Sequence, residues 1–142
     1  MDEAKAIKHA GHPRHPDHRE FLEALGAAMF MAASVNGHMV DIARKHLDMD
    51  YWELIRLPMG LLKDKLVVRA EEVDGLAEAV PIIIEILALR NALAHALPVR
   101  DGLHYRPKDR SVINFYDVED LRDAERRFSA LRKDLNRVLH PR

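Results

Sequence analysis

The sequence holds no cysteine. Disulfides, thiolate metal sites and cysteine nucleophiles are therefore excluded, and the composition fits a reducing cytoplasm without demanding one. An excess of charge of either sign is also missing. Lys and Arg total 22 against 23 Asp and Glu, a net charge of -1 with His neutral. A general nucleic-acid binder usually carries a global basic field, so any RNA or DNA contact here has to use a local patch. Long apolar runs are lacking too. Ile82–Ile84 and Ile86–Leu89 are separated by Glu85 and ended by Arg90, well short of the roughly 20 apolar residues a bilayer span needs. The N-terminus is polar and His-rich, with no apolar segment of the signal-peptide kind, so a cytoplasmic protein with no membrane partner is expected. No Gly-rich phosphate loop, His-Glu-x-x-His pair or nucleophile elbow occurs.

What is present suits a small helical domain. The 142 residues are 48% apolar and 32% charged, enough for one real core and too few for two. Residues 1–16 read as a flexible His-rich leader, because Pro13 and Pro16 resist a helix, and residues 17–142 as a single domain. Asp17 with Glu20 forms a capping-box-like start to a helix over His18–His46. Its apolar positions, from Phe21, Leu22 and Leu25 through Met29 and Val35 to Ile42 and Leu47, recur at threes and fours. Gly26 and Gly37 in that helix would let another helix approach closely. Asp48 or Asp50 caps a second helix over Tyr51–Leu66, with Trp52, Ile55, Leu62 and Leu66 as its apolar face and a kink or break near Pro58 and Gly60. A third helical region spans about Arg69–Leu97, kinked or restarted at Pro81 and stopped by Pro98. Its Ile82–Leu89 stretch is apolar almost all round, as in a central bundle helix or one that also packs on a second subunit. Leu103, Tyr105, Val112, Ile113, Phe115 and Tyr116 flank the polar link Pro107–Ser111 and read as a β-hairpin or ordered loop. Asp117 caps the closing helix, Val118–Leu139, acidic at its start and basic later, as the helix dipole favours.

The one chemically loaded stretch is Arg90-Asn91-Ala92-Leu93-Ala94-His95, at the end of the third region. An Arg followed by a polar residue, with a His after four intervening positions at the end of a bundle helix, resembles the signature of the HEPN superfamily. The order of elements over residues 18–140 resembles that family as well; the sequence match itself is confined to these six residues. The resemblance implies an all-α, HEPN-like bundle of four to five helices with a hairpin or loop insert before the last. It further implies a homodimer with two motifs facing one cleft, acting on RNA without a metal or cofactor. A toxin or defence role would add a cognate antitoxin or nucleotidyltransferase as partner. In that chemistry His95 takes the proton of a 2′-hydroxyl, Arg90 stabilises charge on the attacked phosphate, and Asn91 orients the phosphate or His95.

Geometry sets a condition. Five residues turn an ideal helix by about 500°, which leaves Arg90 and His95 roughly 140° apart. They converge only if the helix frays near His95 or if the site is built across a dimer. Glu85 is the other polar group of this helix and a candidate to face the cleft and hold Arg90; Glu85, Arg126 and Arg127 are the weaker substrate-binding candidates. Plain structural roles compete with these. Arg90 can pair with Glu85 or Asp101, and His95 can cap carbonyls at the helix end. Loss of catalysis would leave a dimeric module that binds a partner protein or a nucleotide-like ligand. His9, His12, His15 and His18 are residues that suit Zn²⁺ or Ni²⁺, but their spacing across prolines forms no recognised metal pattern; a polar leader without a metal site is expected, with a metal-responsive helical protein as the weakest alternative. The bases of the last helix are read as a solvated face, Tyr51 and Trp52 as core or interface anchors, and Met29, Met31 and Met39 as core fillers.

Overall fold

The computed structural model describes residues 18–99, 102–105 and 114–141. The fold class is all-α. Among the described residues five helices occur: α1 His18–His46, α2 Tyr51–Arg56, α3 Met59–Ala70, α4 Leu76–Ala94 and α5 Val118–Leu139. Three short strands, β1 Leu97–Val99, β2 Gly102–Tyr105 and β3 Asn114–Tyr116, lie between α4 and α5. The leader, the Asp17 cap, Asp101 and the link 107–111 fall outside the described residues.

α1 has the expected bounds because one stripe holds it: Phe21, Ala24, Ala28, Ala32, Val35, Met39 and Ile42 are all buried. Leu22 and Met29 sit one residue from that stripe, about 100° round the helix, and are exposed at 49% and 37%. Of the three methionines only Met39 fills the core; Met31 is half-buried. A Cβ at Gly26 or Gly37 would meet nothing within 4 Å, so neither glycine serves a close helix approach among the described residues.

Asp50, rather than Asp48, caps α2: its Oδ1 accepts from the Glu53 amide at 2.9 Å. Pro58 makes a clean break, and its carbonyl then accepts from Leu61 and Leu62 to start α3. Trp52 and Ile55 do not face the core. They share one side of a helix under two turns long, and that side is exposed at 67% and 45%, whereas Leu54 is 1% exposed. Expected as one helical region, residues 69–97 divide instead. α3 ends at Ala70, Gly75 turns the chain with φ +85°, and α4 begins at Leu76 and runs through Pro81. α4 ends at Ala94, before Pro98. A proline disfavours helical geometry in the residue ahead of it, and Leu97 already pairs as strand, opposite His104.

The insert is a three-stranded antiparallel sheet of order β1-β2-β3, not a lone hairpin. Leu103 lies opposite Tyr116 and Tyr105 opposite Asn114, which is the expected hairpin; β1 adds an edge strand, where Pro98 is tolerated. At α5, Asp117 Oδ1 accepts from the Asp120 amide and Asp120 Oδ2 from the Asp117 amide, both at 3.0 Å, a reciprocal cap.

The residues gather into two compact units. One comprises 31–88 and 127–141. Its buried side chains are large: Met39, Leu54, Leu62, Leu66, Ile83, Ile86, Phe128, Leu131 and Leu135 are each 1% exposed or less. Burying each such side chain stabilises the fold by about 1.5–3 kcal/mol. The other comprises the described residues of 18–30 and 89–126. Half of its buried apolar residues are alanines, Ala24, Ala28, Ala92 and Ala124, beside Phe21, Leu93, Leu103 and Leu121. No described polar or charged residue is fully buried in either unit.

Candidate functional site

The Arg-Asn-His stretch occupies the last turn of α4 and the residue just beyond it. Ala92 and Leu93 anchor this turn, at 6% and 4% exposure. Arg90 and Asn91 flank that anchor half-buried, and His95 is exposed. The Arg90 guanidinium donates through Nη1 to Asn91 Oδ1 at 3.0 Å. That contact aims the arginine with a neutral partner, and among the described residues no carboxylate pairs with it. The His95 amide donates to the Asn91 carbonyl at 3.0 Å, so helical winding persists to His95. The helix therefore does not fray in a way that swings His95 toward Arg90. Asn91 and His95 share a face, and Arg90 points elsewhere on the same helix.

The remaining candidates are brought together in a different way. Glu85 does not hold Arg90. It receives two hydrogen bonds from Arg127, Nε to Oε1 at 2.7 Å and Nη2 to Oε2 at 2.8 Å. This forked pair is about half exposed on both sides, so it contributes little stability. Arg126 pairs with Asp123, Arg137 with Asp134, and Arg122 with both Glu119 and Glu20. The basic half of α5 is thus largely neutralised in local pairs. Tyr51 and Trp52 contact edge to face at 5.8 Å on the surface, outside the core.

One constellation, taken whole, has no counterpart in any local pattern of the sequence. Arg132 bonds a serine hydroxyl, donating to Ser34 Oγ at 3.2 Å. Arg132 and His38 together line two neighbouring cavities. Burial, with Arg132 close by, pushes the His38 pKa below 6.5. The signal was the spacing Ser129, Arg132, Lys133, Asn136, polar side chains at i, i+3, i+4 and i+7 on one helix face. Its partner His38 lies in α1, far away in sequence, which no local pattern reveals.

Among the described residues no group of three His, Asp or Glu side chains is placed to hold a metal ion. No described helix is long and apolar enough to cross a membrane. No family model, curated protein or solved structure matches the chain.

Proposed function

We propose that the chain is a HEPN-like, metal-independent endoribonuclease that works as a homodimer, with Arg90 of one copy and His95 of the other closing on one RNA phosphate. The observation that carries this reading is the pose of Arg90, half-buried and aimed by Asn91 with no carboxylate partner among the described residues, five positions along the helix from an exposed His95. Such an arginine suits a phosphate oxygen, and such a histidine suits proton transfer. Their separation around a continuous helix calls for a second copy.

The reaction follows from these groups. His95 accepts the 2′-hydroxyl proton, the 2′-oxygen bonds to phosphorus as the bond from phosphorus to the 5′-oxygen of the next nucleotide breaks, that oxygen takes a proton from water, and His95 returns its own proton to solvent. A 2′,3′-cyclic phosphate and a 5′-hydroxyl result. Arg90 offsets the extra negative charge of the five-coordinate phosphorus. The unit that holds the motif also favours self-association. Its core is rich in alanine, while Phe30, Leu22 and Met29 are exposed at 74%, 49% and 37%.

A non-catalytic dimeric module that binds a partner protein or a nucleotide-like ligand is the second reading. It is favoured by the Arg90–Asn91 hydrogen bond, which already engages the guanidinium within one chain. RNA cleavage in EDTA separates the two. The nuclease yields cyclic-phosphate ends, and loses them in Arg90→Ala and His95→Ala proteins that still fold. Undiminished cleavage by His95→Ala would reject the nuclease reading. In a toxin or defence setting, expression arrests growth, and a cognate antitoxin or nucleotidyltransferase relieves it.

A further inference from the structure

We propose that the cleft between α1 and α5, framed by His38, Ser129, Arg132, Lys133 and Asn136, binds the phosphoryl group of a small organic phosphate. All five residues line one cavity of about 360 Å³, and no carboxylate lines it. Four of them descend one face of α5, and His38 meets them from α1. A guanidinium, an ammonium, a hydroxyl and an amide thus present donors to one space, which is the complement of a phosphate dianion.

Two details point to an occupant. Arg132 is steered by Ser34 and pairs with no carboxylate among the described residues, unlike the paired arginines 122, 126, 127 and 137 of the same helix. The buried Nε2 atom of His38 has no hydrogen-bond partner among the described residues. A buried polar atom left this way costs free energy until something satisfies it. The charged and titratable groups acting on His38 are Arg132, Asp41 and His140. Asp134, next to Lys133, is drawn to Arg137 at 3.5 Å.

The body of the ligand has a place as well. A second cavity, of about 390 Å³, shares His38 and Arg132 and adds Ser34, Asp41, Tyr51 and Ile55. Tyr51 offers a ring for a flat group, and the Asp41 carboxylate accepts from a hydroxyl or amino group. Both volumes fall in the range of small-molecule sites. A polynucleotide would instead need a basic track, and the other arginines of α5 are tied up in ion pairs.

The site uses neither Arg90 nor His95, so its test is independent of the nuclease reading. The full chain is titrated with inorganic phosphate while the His38 ring resonances are followed by NMR, with chloride at equal ionic strength as the control. A saturable shift that chloride does not reproduce is expected. Arg132→Ala should weaken binding by about tenfold or more, and Lys133→Ala, on the exposed side of the helix, should weaken it too. Thermal unfolding of each variant checks that it is folded. Shifts that never saturate, or equal affinity in Lys133→Ala and the parent, would overturn the proposal. So would displacement of phosphate by an oligonucleotide lacking terminal phosphates, which would assign the cleft to a nucleic-acid backbone.

Discussion

The end of α4 and the α1–α5 cleft both pair an arginine with a histidine, yet they are built in opposite ways. At α4 the two residues are near in sequence, and the helix holds them apart: His95 remains hydrogen-bonded into the winding at Asn91, while Arg90 turns to the Asn91 side chain. In the cleft, His38 and Arg132 are remote in sequence, and packing gives them two shared cavities. A short motif is visible in a sequence because it is local, and locality does not guarantee convergence. A site assembled by packing converges, and leaves almost no sequence trace.

The largest effect that sharpens this contrast is on cleavage. Arg90→Ala or His95→Ala should lower the rate of RNA cleavage by about 100-fold or more, with the thermal midpoint of the half-exposed or exposed residue little changed. Gel quantification of cyclic-phosphate products in EDTA checks it; a rate within a few-fold of the parent would leave α4 with a structural role only.

Next in size is a packing effect behind the cleft. Leu131, 1% exposed, lies between Ser129 and Lys133 in α5. Leu131→Ala should cost about 2–5 kcal/mol in denaturant unfolding, because the cavity opens in the unit with large core side chains. A loss under about 1 kcal/mol would mean that the cleft wall is not rigidly packed.

The reciprocal cap at Asp117 and Asp120 gives a smaller effect. Asp117→Ala should lower stability by about 1 kcal/mol, since the Asp120 amide loses its acceptor. Glu85→Gln should cost less than about 1 kcal/mol, because its pair with Arg127 is half in water. Double-mutant cycles on Glu85 and Arg127 measure that coupling directly.

The smallest effect is a pH dependence. Burial lowers the pKa of His38 and, more weakly exposed to the core, of His46 from 6.5 in the folded chain. The unfolded chain then takes up protons at a higher pH than the folded one. Stability is complete above 6.5 and falls as the pH drops from 6.5 toward the folded-state pKa values. The denaturant midpoint at about pH 5.5 should lie below that at about pH 7.5, and His38→Asn should shrink the difference.

The legible parts of the fold are those with long, one-sided periodicity. α1 and α5 have the bounds their stripes imply, and the Asp50 and Asp117 caps follow from residue type alone. α4 is less legible, since Pro81 breaks the pattern without breaking the helix, and a run apolar all round does not say that Ile84 stays 48% exposed. β1 is three residues long, too short for alternation to show. At the candidate site, the Arg90–His95 stretch was legible as residues, but the bond that orients Arg90 was not. Nor was the commitment of Glu85 to Arg127, which depends on which face of α5 meets α4.

Subunit complementation tests the nuclease reading most directly. Arg90→Ala and His95→Ala proteins, each inactive alone, are mixed and allowed to exchange subunits. In a symmetric dimer whose sites draw Arg90 from one copy and His95 from the other, every mixed dimer regains one intact site, so about a quarter of the parental cleavage should return. A mixture that exchanges subunits yet stays as inactive as its components would contradict a site shared between two copies.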